Sequence, residues 1–286
     1  MIVSLAALLL PVIASSLGNA TDSTFDSNGV KIRYVTEGKG EAVVLIHGWM
    51  GDSSMWGRDA AGNTKLVPVE GFQVIALDCR GHGKSDKPHD PTKYGDEMAA
   101  DVIRLLDHLK IKRAHLIGYS MGTFIAGRVS ATHPNRVISL IFGGQAPLLT
   151  GEAGSKEIDA FAKAVQDGKG LAPYLLHVRP ELSEKAATAL AKILYDGKDV
   201  KAWALAGQSF KGLEVRAEDL KKCDVPTLFV YGSKEHDSTK TRIAILRKVL
   251  DKSVEKVVEG GDHITTLTKP AFGKAIVEFL VAQKSK

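Results

Sequence analysis

The sequence predicts an α/β protein: a mostly parallel, twisted sheet with helices on both faces and a helical insertion late in the chain. Three observations predict it. From residue 42 onward, short apolar runs alternate with amphipathic stretches of helical period, as strand–helix–strand units do. A Gly-x-Ser-x-Gly pentapeptide joins one such run to one such stretch. Residues 146–222 carry helical patterns but no convincing strand. The composition agrees. Of 286 residues, 44% are hydrophobic and 25% charged, which suits a large buried core and excludes wholesale disorder.

Residues 1–20 hold no ionisable side chain, and Ile2 to Ala14 is apolar except at Ser4 and Pro11. That run is shorter than the roughly 20 residues a membrane-spanning helix needs. It matches the apolar region of a secretory signal, with the small residues Gly18 and Ala20 placed for a cut after Ala20. A periplasmic or secreted protein is the expectation. The positive start of such a signal is missing, since the first basic residue is Lys31. The competing reading is a buried N-terminal helix or an uncleaved anchor, and otherwise a cytoplasmic chain. After cleavage no stable membrane span is expected.

A hairpin follows, from Phe25-Asp26 through the turn Asn28-Gly29 to Val30–Val35. Glu37–Gly40 reads as a second turn. Strands are expected at Ala42–Ile46, Phe72–Leu77, His115–Gly118, Val137–Phe142 and Thr227–Tyr231, with a weaker one at Val254–Val258. Asp96–Leu109 is the clearest helix, with Met98, Val102, Leu105, Leu106 and Leu109 on one face. Met121–His133 is stopped by Pro134, Thr239–Leu250 follows later, and Pro270–Val281 starts on a proline. Within 146–222, helices are expected at Ser155–Asp167, Glu181–Leu194 and Val200–Lys211. The expected organisation is a signal at 1–20, a core from 24–145 and 223–283, and a helical cover at 146–222.

The charge balance argues against nucleic acid. Lys+Arg number 38 against 33 Asp+Glu, a net charge of +5 with no dense basic block. The cover holds 12 basic and 11 acidic residues, so it advertises no charged ligand. Cys79 and Cys223 fall at opposite ends of their strands, which fits two small buried side chains better than a bridge. No Cys/His spacing suggests a metal, and no Gly-x-Gly-x-x-Gly follows a strand, so no cofactor is expected.

Gly118-Tyr119-Ser120-Met121-Gly122 carries the chemistry. A sharp strand-to-helix turn lifts the serine oxygen above the sheet edge, beside a helix N-terminus that favours negative charge. A serine alcohol needs a base, and the base needs a carboxylate to orient it. Four histidines lie downstream of Ser120. His133 ends a helix, His177 lies in the cover, and His236 sits in the loop expected to supply the acid. His263 ends the loop Glu259-Gly260-Gly261-Asp262 after the last strand and is the expected base. Glu235 and Asp237 are the two candidate acids, and the sequence leaves both open. Asp262, adjacent to the base, is poorly placed. The oxyanion would be met by the N–H of Met121 and by one from His47-Gly48-Trp49-Met50-Gly51, with Trp49 ahead of Met50. His47 itself reads as a tether for that loop. Phe161, Tyr174, Trp203 and Phe210 are candidates for an acyl pocket or for plain core packing.

The ordered set of HGWMG after a strand, Leu77-Asp78-Cys79-Arg80-Gly81-His82-Gly83-Lys84-Ser85, GYSMG, Gly232 with nearby acids, and GGDH resembles the α/β-hydrolase fold family, in its esterase-like form with a helical cap. The resemblance covers residues 24–283 and implies a triad of Ser120, His263 and either Glu235 or Asp237. Two positions depart from the family pattern: Glu235, where Asp is commoner, and Thr123, where relatives often have glycine. Members with epoxide hydrolase or haloalkane dehalogenase chemistry use an aspartate nucleophile, so Ser120 argues against both. The expectation is a hydrolase taking a small-molecule acyl substrate, chiefly a carboxylic ester. The alternatives are a ligand-binding or receptor-like relative with little turnover, a carbon–carbon bond hydrolase, and a perhydrolase.

Overall fold

The computed structural model describes residues 20–57, 70–152, 156–167, 169–178 and 181–284. The expected signal segment lies outside the described residues, apart from Ala20.

Strands β1 (Thr21–Asp26) and β2 (Lys31–Ile46) form an antiparallel hairpin. Asn28 and Gly29 turn it with φ of 59° and 78°. Both central residues of such a tight turn need positive φ, which Asn and Gly tolerate best. Glu37–Gly40 is not a separate turn. β2 runs through it because pairing with β3 (Glu70–Leu77) continues on either side of an irregular stretch. Gly40, at φ 131°, passes so close to Gly71 that an added Cβ would strike its carbonyl.

Helix α1 (Asp96–His108) buries Met98, Val102, Leu105 and Leu106, as its spacing predicts. It is followed by β4 (Ala114–Tyr119), α2 (Met121–Thr132) and β5 (Val137–Gly143). The chain then makes α3 (Lys156–Gln166), α4 (Ala172–Val178), α5 (Glu184–Tyr195), α6 (Val200–Gln208) and α7 (Ala217–Lys221). The sequence reading lacks α4 and α7, because two turns or fewer leave too little periodicity to see. Strand β6 (Thr227–Gly232), helix α8 (Asp237–Arg247), strand β7 (Ser253–Val258) and helix α9 (Pro270–Gln283) complete the chain.

The sheet runs β3–β2–β4–β5–β6–β7, all parallel, with β1 antiparallel against the first half of β2. On one face Val44, Leu116, Phe142 and Phe229 pack with Val102 of α1, Ile125 of α2 and Leu246 of α8. On the other, Val43, Ile117, Ile141 and Val230 pack with Phe272, Ile276 and Leu280 of α9. Burial on both faces explains why the strands read as continuous apolar runs.

A third cluster, Phe161, Leu171 and Trp203, lies within the helical segment and joins Trp49 and Met50 of the loop after β2. The two ends of that segment are pinned together. Val215 N–H donates to Leu148 O at 2.9 Å, and Thr150 N–H to Val215 O at 3.0 Å. Cys79 and Cys223 are both free and buried, and burial pushes the Cys223 thiol up to about 11. Among the described residues no helix is long and apolar enough to cross a membrane.

Candidate active site

The loops after β2, β4, β6 and β7 converge at the carboxyl ends of the parallel strands, where open α/β sheets bind ligands. Ser120 stands between β4 and α2 with φ 52° and ψ −117°. A side chain held in that region signals stored strain. The flanking glycines are steric necessities. A Cβ on Gly118 would lie 2.2 Å from Gly122 O, and one on Gly122 would lie 2.0 Å from Ile46 O. The turn is held by Ser120 N–H donating to Gly143 O at 2.9 Å. Thr123, one of the two departures from the family pattern, adds to it: its hydroxyl donates to Ser120 O at 2.7 Å.

His263 Nε2 is 3.0 Å from Ser120 Oγ, and its Nδ1 is 3.1 Å from Glu235 Oε2. The consistent tautomer has Nδ1–H donating to the carboxylate and Nε2 accepting from the serine hydroxyl. The Glu235 side chain is fully buried, while that of His263 is 31% exposed, so the imidazole remains open to an incoming molecule. Glu235 Oε1 accepts from His236 N–H at 3.1 Å. Tyr119 steadies the histidine from behind, its hydroxyl donating to His263 O at 2.7 Å. Burial pushes the Tyr119 phenol upward, so it stays a donor.

Asp237 takes no part in this arrangement. It is the first residue of α8, its side chain is 100% exposed, and its partner is Lys240 at 3.6 Å. Asp262 is spent locally: Oδ1 accepts from Ile264 N–H and Thr265 N–H. These bonds hold its carboxyl below the usual range. His133 caps the end of α2. The His177 side chain lies outside the described residues.

The loop after β2 lies directly against the serine. An added Cβ on Gly48 would be 3.3 Å from Ser120 Cβ, and the next residue, Trp49, lines the same cavity as Ser120. Met121, on the other side, is the first residue of α2, where helix N–H groups have no partner within the helix. His47 is fully buried with both nitrogens used. Nδ1–H donates to Gly48 O at 2.7 Å, and Nε2 accepts from Cys79 N–H at 2.9 Å. Burial lowers its pKa, so it is a neutral tether between the loops after β2 and β3. Arg80 is likewise a strut, fully buried and paired with Asp101 through Nε at 2.7 Å and Nη2 at 2.6 Å.

Beside Ser120 opens a cavity of about 300 Å³. Its apolar lining is Trp49, Phe124, Leu148, Ile158, Tyr174 and Phe210. Its polar lining comes from the segment after β5, with Gln145 and Glu152, from His236 just before α8, and from Ser238, Thr239 and Arg242 in the first half of α8. Of the four aromatics singled out in the sequence, Tyr174 and Phe210 line the cavity. Phe161 and Trp203 are packed inside the helical segment. The Trp49 indole was not foreseen as a wall. Its Nε1–H donates to Trp203 O at 2.9 Å, and its ring meets Phe161 and Phe210 edge-on at 5.1 and 5.9 Å. The polar lining was not foreseen either, because its members are scattered along the chain and share no motif.

The alpha/beta hydrolase fold family matches residues 41–270. Non-heme chloroperoxidase CPO-A1 of Kitasatospora aureofaciens is 28% identical over 278 residues, covering 88% of this chain and 97% of its own. The 3-oxoadipate enol-lactonase 2 of Acinetobacter baylyi is 27% identical over 268 residues, covering 88% of this chain and 94% of its own. The crystal structure of the enol-lactonase from Burkholderia xenovorans LB400 superposes with a TM-score of 0.73 at 23% identity, over 91% of this chain and 100% of that one. With most of the chain inside the family match and the strand order that accompanies it, the protein belongs to the alpha/beta hydrolase fold family.

Proposed function

We propose that the protein is a serine hydrolase that cleaves a small carboxylic ester, or a related acyl bond, through an acyl-enzyme intermediate. The observation that carries this reading is the chain of contacts from Ser120 Oγ to His263 Nε2 at 3.0 Å and from His263 Nδ1 to Glu235 at 3.1 Å. Ser120 Oγ attacks the carbonyl carbon as its proton passes to His263 Nε2. The negative charge that develops on the carbonyl oxygen is met by the N–H groups of Met121 and Trp49, and one such donor is worth about 3 to 4 kcal/mol of barrier. Glu235 fixes the histidine tautomer and stabilises the imidazolium. Collapse expels the alcohol, which takes the proton from His263. Water then attacks the acyl carbon, giving its proton to His263, and the acid leaves as Ser120 is restored.

A lactone is a cyclic ester, so relatives named as enol-lactonases are in keeping with this reading. In this account residues 24–145 and 223–283 form the catalytic core, and residues 146–222 form a cover that shapes the acyl cavity through Tyr174 and Phe210. The test is pre-steady-state kinetics with p-nitrophenyl acetate. A burst of one equivalent of nitrophenol followed by steady turnover supports the proposal. A burst without turnover favours a binding protein. Hydrolysis by Ser120→Ala as fast as by the wild type refutes the mechanism.

A further inference from the structure

We infer that Arg242 makes the cavity beside Ser120 a receptor for a carboxylate, so that the acyl substrate is anionic, for example the monoester of a short dicarboxylic acid. This rests on the acyl-enzyme reading above for its substrate, though not for its binding geometry. Ser120 and Arg242 line the same cavity. The Arg242 side chain is only 12% exposed, and a guanidinium is costly to withdraw from water unless it is paired and hydrogen-bonded. Here it is held firmly. Nε lies 2.6 Å from Glu152 Oε2 as an ion pair without hydrogen-bond alignment, and Nη1–H donates to Gln145 Oε1 at 2.8 Å.

Both partners are anchored in turn. Glu152 Oε2 accepts from Leu149 N–H at 2.9 Å, and Gln145 Oε1 from Ala146 N–H at 3.1 Å. A guanidinium has five N–H donors. Only Nη1 makes a hydrogen bond; Nε is ion-paired without one, and among the described residues Nη2 makes no bond. A positioned guanidinium with spare donors is suited to a planar carboxylate. Among the described residues lining the cavity it is the only Lys or Arg, and Trp49, Phe124 and Phe210 offer apolar surface for the carbon chain. The competing role is a strut tying α8 to the segment after β5. A strut has no need to face the cavity, yet Gln145, Glu152 and Arg242 all line it.

The experiment compares p-nitrophenyl hydrogen glutarate with neutral p-nitrophenyl pentanoate, which has the same acyl chain length. The wild type is expected to favour the anionic ester in kcat/KM by at least about tenfold, and Arg242→Gln is expected to cut that ratio by about 10- to 100-fold. Arg242→Lys, which keeps the charge but not the fork, restores part of it. A wild-type ratio of one or below overturns the inference, as does an Arg242→Gln variant that lowers both substrates equally. Calorimetry of glutarate binding to Ser120→Ala protein adds a readout free of turnover and decides the matter even if Arg242→Gln fails to fold. Glutarate binding without hydrolysis of any ester sinks the hydrolase reading and leaves the receptor standing. Ester hydrolysis with no anionic preference and no glutarate binding sinks the receptor and leaves the hydrolase standing.

Discussion

Replacing Glu235 by glutamine tests the reasoning at its most constrained point. The two carboxylate oxygens each accept one N–H: Oε1 from His236 and Oε2 from His263 Nδ1. Glutamine has a single oxygen for two donors. If that oxygen faces His236, its amide N–H points at His263 Nδ1, which must then give up its proton. Nε2 becomes the donor and can no longer take a proton from Ser120. If the oxygen faces His263 instead, an amide N–H confronts His236 N–H in a site where Glu235 is fully buried. Leaving such buried donors unsatisfied costs about 2 kcal/mol, so the productive orientation is held by roughly 1 molecule in 30. Loss of the charged bond to the imidazolium removes a further ~2 kcal/mol from the transition state. Together these lower kcat by about 10³-fold. The assay is saturating p-nitrophenyl acetate hydrolysis, with circular dichroism to establish that the variant is folded. Asp237→Asn serves as the control and leaves kcat within about twofold, since that side chain is fully exposed and its ion pair is with Lys240 of its own helix. A folded Glu235→Gln enzyme within threefold of wild type, or an Asp237→Asn enzyme that has lost activity, would refute the assignment.

Gly122→Ala would put a methyl 2.0 Å from the Ile46 carbonyl, which is backbone and cannot swing aside. The expected cost is about 1–3 kcal/mol or more and a Tm lower by roughly 3–10 °C, read by calorimetry; an unchanged Tm would mean that α2 does not approach β2 so closely. His82 is fully buried, and burial above all holds its pKa down to about 3. It donates through Nδ1 to Arg80 O at 3.0 Å. The unfolded chain takes up a proton near pH 6.5 that the folded chain resists. Stability is therefore greatest above that pH and falls as pH drops from about 6.5 towards about 3, by up to about 1.4 kcal/mol per unit. Urea midpoints between pH 4 and 7 should show a shallower slope for His82→Asn than for the wild type, though not a flat one, because buried His47 is shifted the same way; equal slopes would contradict this.

How much the sequence reveals depends on how local the determining physics is. The elbow at Ser120 is legible because its demand for glycine on both sides is a backbone constraint within five residues. His263 is legible for a similar reason, since strand order brings the loop after β7 to the same sheet edge. The choice between Glu235 and Asp237 is not legible, because it turns on where α8 begins. The helix starts at Asp237, two residues before the spacing suggests, and this leaves Asp237 in solvent. Glu235 is turned inward by a tight turn in which its N–H donates to Gly232 O at 3.0 Å. The continuous β2 hides behind two glycines that read as a turn, although pairing with β3 carries the strand through. Arg242, Glu152 and Gln145 meet only through the tertiary fold, which no motif of three residues so far apart could announce.

The most direct measurement is mass spectrometry of the protein after treatment with a fluorophosphonate probe, with peptide mapping of the adduct. The account predicts one adduct per chain, on Ser120, formed with the wild type and lost when His263 is replaced by alanine. An unmodified Ser120, or an adduct on another residue, would contradict it.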